Sequence, residues 1–398
     1  MNNLTAVQAL GSDLGTVICV VGARPNFIKM APVLRAMAAH APRLPVLLVH
    51  TGQHYDKDMS GQLFEDLRLP RPDVNLEVGS GTHAIQTAEV MRRFDPVVDA
   101  HKPSCVVVVG DVNSTLACSL VAVKKGVPVV HIEAGLRSFD RAMPEEINRI
   151  LTDQISDRLY TTERTAKNNL VREGIPSEKV CFVGNVMIDS VVFGRAKARN
   201  AKDILQTCNV DSSILSHSLG YGVVTLHRPS NVDQPETLCA LLKVLSEVSA
   251  SMPLIFALHP RTRSNIDRFG LIKLLDPARV ILLPPQGYLE MLGLMVGATV
   301  VLTDSGGLQE EATALGVPCL TLRENTERPI TVEQGTNLLV GRDRDAILGA
   351  IQEILAGKGK RGRVPEFWDG HAAERITADL YQWLKQRQAE MALQSASE

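Results

Sequence analysis

The sequence predicts two α/β domains, each a Rossmann-like, doubly wound parallel sheet, facing each other across a cleft. Three observations predict it. Short β-branched runs alternate with helical patterns almost throughout. The alternation loosens over the polar stretch Arg195–Ser218 and restarts at Gly222. The motifs richest in chemistry stand just after the apolar runs, where open parallel sheets bind ligands.

Thr16–Val21 reads as a strand, and Asn26–His40 as a helix opened by Pro25. Leu44–His50, Val106–Val109, Pro128–Ile132, Arg158–Thr161 and Val180–Val183 read as further strands. Helices are expected over about Lys57–Leu67, Ser114–Lys125 and Glu145–Ser156. Val106–Val109 is apolar at every position, as a strand buried on both faces must be. After the break, strands are expected at Gly222–Leu226, Leu254–Leu258, Val280–Leu283, Val300–Thr303, Cys319–Leu322 and Asn337–Val340. We therefore read residues 1–194 as the first domain and 195–370 as the second. The stretch 371–398 carries a helix that is amphipathic around Ile376, Leu380, Trp383 and Leu384, expected to pack back on the first domain.

Composition narrows the function. The 398 residues are 45% hydrophobic, enough for two full cores. Lys plus Arg number 42 against 44 Asp plus Glu, so broad binding to nucleic acid or to an anionic membrane is not expected. The seven cysteines are scattered, with no CxxC, and read as buried thiols rather than disulfides or zinc ligands. The first fifteen residues carry no Lys or Arg, and no apolar run approaches a membrane span of ~18 residues. The expectation is a cytoplasmic enzyme with no metal site.

The strongest motif is Thr303-Asp304-Ser305-Gly306-Gly307-Leu308-Gln309-Glu310-Glu311, a strand end that opens a helix. Two glycines allow close backbone approach, and a helix N-terminus offers free N–H groups to a diphosphate. Ser305 can add a hydroxyl, and Glu311, one turn in, can accept from a ribose. An ordinary N-cap serine before a Gly-rich turn would show the same local pattern. Arg24 and Lys29 flank the helix start after the first strand, suited to phosphate and to a point-charge contact. Asp111, Glu133 and Glu145 come from three segments toward one rim, although each alone is also what an N-cap or a first-turn acid looks like. Clustered carboxylates suit general acid–base work. His227, Arg228 and His259 end the first strands of the second domain and offer cations to a leaving diphosphate.

Read together, GARPNFIKMAP (22–32), TGQHYD (51–56), GDVNST (110–115), HIEAGLRS (131–138), PEEINR (144–149), GNVMIDS (184–190), HRPSN (227–231), DSGGLQEEA (304–312) and ENTERP (324–329) resemble the non-hydrolysing UDP-N-acetylglucosamine 2-epimerases. The resemblance covers about residues 16–385. It implies a double-Rossmann fold of the GT-B type and interconversion of UDP-GlcNAc and UDP-ManNAc without NAD or another cofactor. The implied route is anti elimination of UDP to a 2-acetamidoglucal, followed by re-addition. Carried over by motif, Lys29, Asp111, Glu133, Glu145 and His227 match catalytic positions. Arg24, Ser305, Gly306, Gly307 and Glu311 match UDP-binding ones, and Arg137, Arg228, His259 and Arg328 are expected as further substrate-binding residues. Met291 stands where the family's uracil stacker is often Phe, and Asn26 where many relatives have Glu. Gln53-His54-Tyr55-Asp56 keeps only part of a run that some members use to bind UDP-GlcNAc as an activator, so weak or absent activation is expected. The family is usually dimeric, and His83–Val98 is the candidate helix for that contact. Alternatives are a hydrolysing 2-epimerase, a 2-epimerase of a diacetamido uronate whose carboxylate Arg323 or Arg328 would bind, a glycosyltransferase of this fold, and a non-catalytic nucleotide-sugar sensor.

Overall fold

The computed structural model describes residues 14–52 and 63–395. The chain divides into two units, Met1–Ser190 with Glu366–Glu398, and Val191–Pro365. The first is built on seven strands: β1 (Val17–Val21), β2 (Val46–His50), β3 (Val74–Asn75), β4 (Cys105–Val109), β5 (Val129–Ile132), β6 (Arg158–Thr161) and β7 (Val180–Phe182). They pair in the order β3-β2-β1-β4-β5-β6-β7, all parallel. Every residue of β1 and β4 is buried, which is why both read as unbroken apolar runs.

The order reverses direction between β1 and β4. The loops that follow those two strands run to opposite faces of the sheet and leave a crevice at their carboxyl ends. The β1 loop opens helix Arg24–Ala39, with Pro25 in its first turn. The β4 loop opens helix Asn113–Lys124. The apolar face of helix His83–His101 (Val90, Phe94 and Val98) packs with Ile18, Val20, Val106 and Val108 in the unit's own core, and Ile85 is left exposed. The candidate dimer helix thus spends most of its apolar face on its own sheet.

The second unit repeats the plan with β8 (Gly222–Thr225), β9 (Leu254–Ala257), β10 (Val280–Leu283), β11 (Val300–Thr303), β12 (Cys319–Thr321) and β13 (Asn337–Leu339), in the parallel order β10-β9-β8-β11-β12-β13. Successive side chains take opposite faces. Val224, Phe256 and Leu302 enter one core, and Val223, Ile255 and Val301 the other. The switch point lies between β8 and β11, whose ends are in register at Thr225 and Thr303.

The C-terminal helix Ala372–Ser395 is fixed to the first unit at both polar and apolar points. The Asp189 carboxylate accepts from the N–H groups of Ala372 (3.1 Å) and Ala373 (2.7 Å), so it caps the helix from outside it. One turn or two further, Asp379 receives Arg158 at 2.6 and 2.9 Å and the Tyr160 hydroxyl at 2.8 Å. Ile376, Leu380 and Leu384 are buried. Among the described residues, no helix is long and apolar enough to cross a membrane.

Candidate active site

In the first unit the structure brings Lys29 to Glu133 and ties Asp111 to Arg149 of helix Pro144–Ile155. Lys29, on the second turn of helix Arg24–Ala39, forms a buried ion pair with Glu133. Glu133 follows β5 with φ of 72°, a left-handed backbone uncommon outside glycine and typical of functional turns. Gly110 ends β4 with φ of 69°, and a Cβ there would stand 3.4 Å from the Lys29 ammonium. The Lys29–Glu133 pair therefore lies against the turn that presents Asp111.

Asp111 is held from helix Pro144–Ile155. The Arg149 guanidinium donates to its carboxylate at 2.6 Å, and the Asn148 amide donates to its backbone oxygen at 2.9 Å. The same guanidinium reaches Glu146 at 2.7 Å. Glu146 in turn accepts from the Ser138 N–H and hydroxyl at 3.0 and 2.9 Å and from the Phe139 N–H at 2.9 Å. Glu145 stands half-buried in the helix's first turn, one turn before Arg149 and on the same face. The paired acids thus divide. Glu146 is built into the framework, and Glu145 is left toward solvent. The buried side of this helix is wholly polar: Glu146, Asn148, Arg149, Thr152 and Asp153.

Beneath these loops lies a charged layer. His131, fully buried on β5, places Nε2 2.8 Å from the Gly110 carbonyl and Nδ1 2.7 Å from Asp153. Asp153 also accepts from the Gly135 N–H at 3.1 Å and from Arg137 at 2.8 Å. Arg137, expected at the substrate, has a guanidinium with no solvent exposure. It is forked onto Glu173 at 2.6 and 2.8 Å as well as bonded to Asp153. The structure brings Arg137 to the support of the Gly135 turn. Asn26 is likewise structural: its amide accepts from the Ala23 N–H at 3.0 Å and donates to the Val109 carbonyl at 2.7 Å, tying the loops after β1 and β4 together. Arg24 stands half-buried at the start of the same helix.

In the second unit the switch point is organised by Asp304. Its buried carboxylate accepts from the N–H groups of His227 (3.0 Å) and Arg228 (2.9 Å), from the Asn231 amide (3.1 Å), and lies 2.9 Å from His227 Nδ1. Burial alone would push this carboxyl up. The His227 ring and the two N–H groups outweigh it and hold Asp304 below its ordinary value. Asp304 thus anchors the β8 loop that carries His227 and Arg228. The His227 and His259 rings lie 5.7 Å apart. His259 also caps helix Pro260–Arg268 by accepting from the Arg261 N–H at 3.2 Å.

Helix Gly306–Leu315 follows Ser305, whose side chain makes no capping bond. The Ser305 N–H is turned back onto Thr303 Oγ1 at 3.0 Å. Glu311 is buried one turn in, with Glu310 beside it paired to buried Arg328 at 2.9 Å. The Met291 side chain is partly buried on helix Tyr288–Val296, packed against the core beneath it. Gln53-His54-Tyr55-Asp56 lies outside the described residues.

Sequence reasoning passed over Glu146, Arg149, His131, Asp153 and Glu327. A signal existed for three of them. Glu146, Arg149 and Asp153 recur at helical spacing on one face of a helix, a charged stripe that a sheet-packed helix does not need unless it serves a site.

Two parallel sheets, each with its polar residues gathered at the carboxyl ends beside the switch point, define an enzyme of the double-Rossmann class. The family model described as UDP-N-acetylglucosamine 2-epimerase matches residues 36–381. The UDP-N-acetylglucosamine 2-epimerase of Methanococcus maripaludis is 42% identical, over 90% of this chain and 96% of its own. The UDP-2,3-diacetamido-2,3-dideoxy-D-glucuronate 2-epimerase of Pseudomonas aeruginosa is also 42% identical, over 92% and 99%. Among solved structures, UDP-GlcNAc 2-epimerase of Methanocaldococcus jannaschii in complex with UDP-GlcNAc and UDP superposes with a TM-score of 0.81 at 41% identity, covering 92% of this chain and 99% of that one. The chain belongs to the UDP-N-acetylglucosamine 2-epimerase family.

Proposed function

We propose that this chain interconverts UDP-N-acetylglucosamine and UDP-N-acetylmannosamine without releasing free sugar. The observation that carries the reading is the Lys29–Glu133 pair set against the Gly110–Asp111 turn. The Glu133 carboxylate beside the Lys29 cation, next to the turn that carries Asp111, supports the reading, since removal of a weakly acidic carbon-bound proton requires such a group. A carboxylate of the Asp111, Glu133 and Glu145 group takes the proton from carbon 2. The bond from carbon 1 to the UDP oxygen breaks, and the electron pair leaves with UDP as the carbon 1–carbon 2 double bond forms. A protonated member of the group then delivers a proton to the opposite face of carbon 2, and the UDP oxygen re-adds at carbon 1. Ser305, the N–H groups of Gly306 and Gly307, and the cations of Arg24, His227 and Arg228 hold the diphosphate through the step. Glu311 holds the ribose, Met291 packs on the uracil, and His259 completes the binding surface; Arg328, expected there, is buried and paired with Glu310 and supports the turn instead. Elimination and re-addition are redox-neutral, so the proposed route calls on no cofactor.

The neutral acetamido sugar is preferred over a uronate for a specific reason. Arg328, one of the two cations expected for a sugar carboxylate, is buried and paired with Glu310 at 2.9 Å. The enzyme is proposed to act in the cytoplasm as a homodimer. Exposed Ile85 and Leu151, on helices of the same unit, offer apolar surface for the contact.

Purified protein is incubated with UDP-GlcNAc in deuterated water and followed by NMR. The expected product is UDP-ManNAc carrying deuterium at carbon 2. Free ManNAc with UDP would make the enzyme hydrolysing. No exchange on UDP-GlcNAc, with exchange on the diacetamido uronate, would transfer the reading to that substrate. Asp111→Asn is expected to abolish exchange and leave UDP binding intact.

A further inference from the structure

The loop after β12 brings a carboxylate into the phosphate turn from the side. Glu327 is 4% exposed. Arg323 donates to it at 2.8 Å, and Arg228 lies 3.5 Å away. Its Oε1 lies 2.5 Å from where a Cβ on Gly306 would stand, so the carboxylate abuts the first residue of helix Gly306–Leu315. Gly306 is therefore required by Glu327 as well as by any ligand. An anion already occupies one side of the place where a helix N-terminus and two guanidinium groups converge.

Glu327 does not satisfy those cations. Arg323 Nη1 and Arg228 Nε are buried donors that hydrogen-bond to no described residue. Arg323 also shares its other nitrogen with Asn325 at 3.2 Å. Burial alone would raise the Glu327 carboxyl, but Arg323, Arg328 and Arg228 reverse that and hold it well below the usual carboxylate range.

We infer that Glu327 is a tethered counter-anion of the diphosphate grip, holding Arg228 and Arg323 in place while opposing the charge of the ligand that shares them. The inference rests on reading the Thr303–Glu311 turn as that grip. Glu327 is a positioning residue, since it acts through the two arginines. Its charge weakens ground-state binding of UDP, which suits a reaction in which UDP must leave carbon 1 and return to it. Uniformly tight binding would lower KM without raising kcat.

The test is UDP affinity, measured by calorimetry on wild type and Glu327→Gln, with melting curves to establish folding. Glutamine keeps the shape and removes the charge. UDP is expected to bind about tenfold or more tighter to Glu327→Gln, since one like charge about 4 Å away near a protein surface opposes binding by up to roughly a thousandfold. With UDP-GlcNAc, kcat and KM are expected to fall together. A merely structural role predicts the opposite sign, weaker UDP binding. Unchanged or weaker binding by a folded Glu327→Gln overturns the inference and leaves the UDP grip standing. Failure of the wild type itself to bind UDP overturns the reading beneath it. Should Glu327→Gln not fold, Glu327→Asp carries the test. Its carboxylate is drawn back by one methylene and opposes the ligand less, so UDP binds about twofold tighter, and weaker binding overturns the inference.

Discussion

Arg149 and Asp111 are joined by an ion pair of 2.6 Å, and the same guanidinium holds Glu146 at 2.7 Å. A single planar fork therefore sets the position of a candidate catalytic carboxylate against a turn that Glu146 clamps by three bonds. Lysine cannot reproduce the fork. Arg149→Lys is expected to lower the rate of deuterium incorporation roughly 10²-fold, the cost of misplacing a reacting group by about an ångström. UDP affinity should stay within about twofold, because the proposed phosphate turn belongs to the other unit. A wild-type exchange rate in Arg149→Lys would show that Asp111 does not depend on the fork.

Lys29 and Glu133 form a pair whose side chains are 7% and 2% exposed. Removing one partner leaves the other charged and dry. Lys29→Met is expected to destabilise the fold by about 3–5 kcal/mol. Lys29→Met with Glu133→Gln should recover most of that loss, since both buried charges of the pair are then gone. Both proteins should be inactive. Urea denaturation of the three chains checks the order, and a double variant no more stable than Lys29→Met would refute it.

Gly306→Ala places a methyl group 2.5 Å from Glu327 Oε1. Either the carboxylate or the start of the helix must move. We expect UDP affinity to fall about tenfold or more, because the N–H groups and guanidiniums no longer converge. A calorimetric titration decides it. An unchanged affinity would mean that Glu327 shifts freely and that the turn is not built around it.

The architecture was legible because strands buried on both faces must be apolar throughout, and Cys105–Val109 and Val300–Leu302 are. The switch points were legible too, since Gly22, Gly110, His227 and Asp304 all follow such runs. The framework of the site was harder to see. Glu145 and Glu146 are equivalent acids in sequence, and only the 100° step between neighbours on a helix decides that Glu146 turns inward to Ser138 and Arg149. Arg137 read as a substrate-binding residue from its place in the HIEAGLRS motif. Its burial follows from Asp153 and Glu173, which come from segments 16 and 36 residues away. Long-range pairing of this kind leaves no local trace in a single sequence. Glu327 was hidden for the same reason, inside a motif that reads as two arginines flanking an acid.

Asp189 gives the fold a pH dependence of unusual sign. Burial raises its carboxyl from the ordinary 3.8 to about 6, partly opposed by the N–H groups of Ala373 and Ala372. The folded chain then binds this proton more tightly than the unfolded one. The stabilisation is complete below about pH 4 and is lost as pH rises through about 6. From about pH 4.5 to 7.5 the loss amounts to about 2 kcal/mol. Asp189→Asn keeps an oxygen for the Ala373 N–H and has no charge to titrate. Measured by urea unfolding across that range, wild type should lose about 2 kcal/mol relative to Asp189→Asn. An Asp379-type carboxylate, held below its ordinary value by Arg158 and Tyr160 against its own burial, would instead strengthen as pH rises from acid. A wild-type-minus-variant difference that stays constant, or grows with pH, would mean that the cap at Ala372 and Ala373 stabilises the Asp189 anion more than burial penalises it.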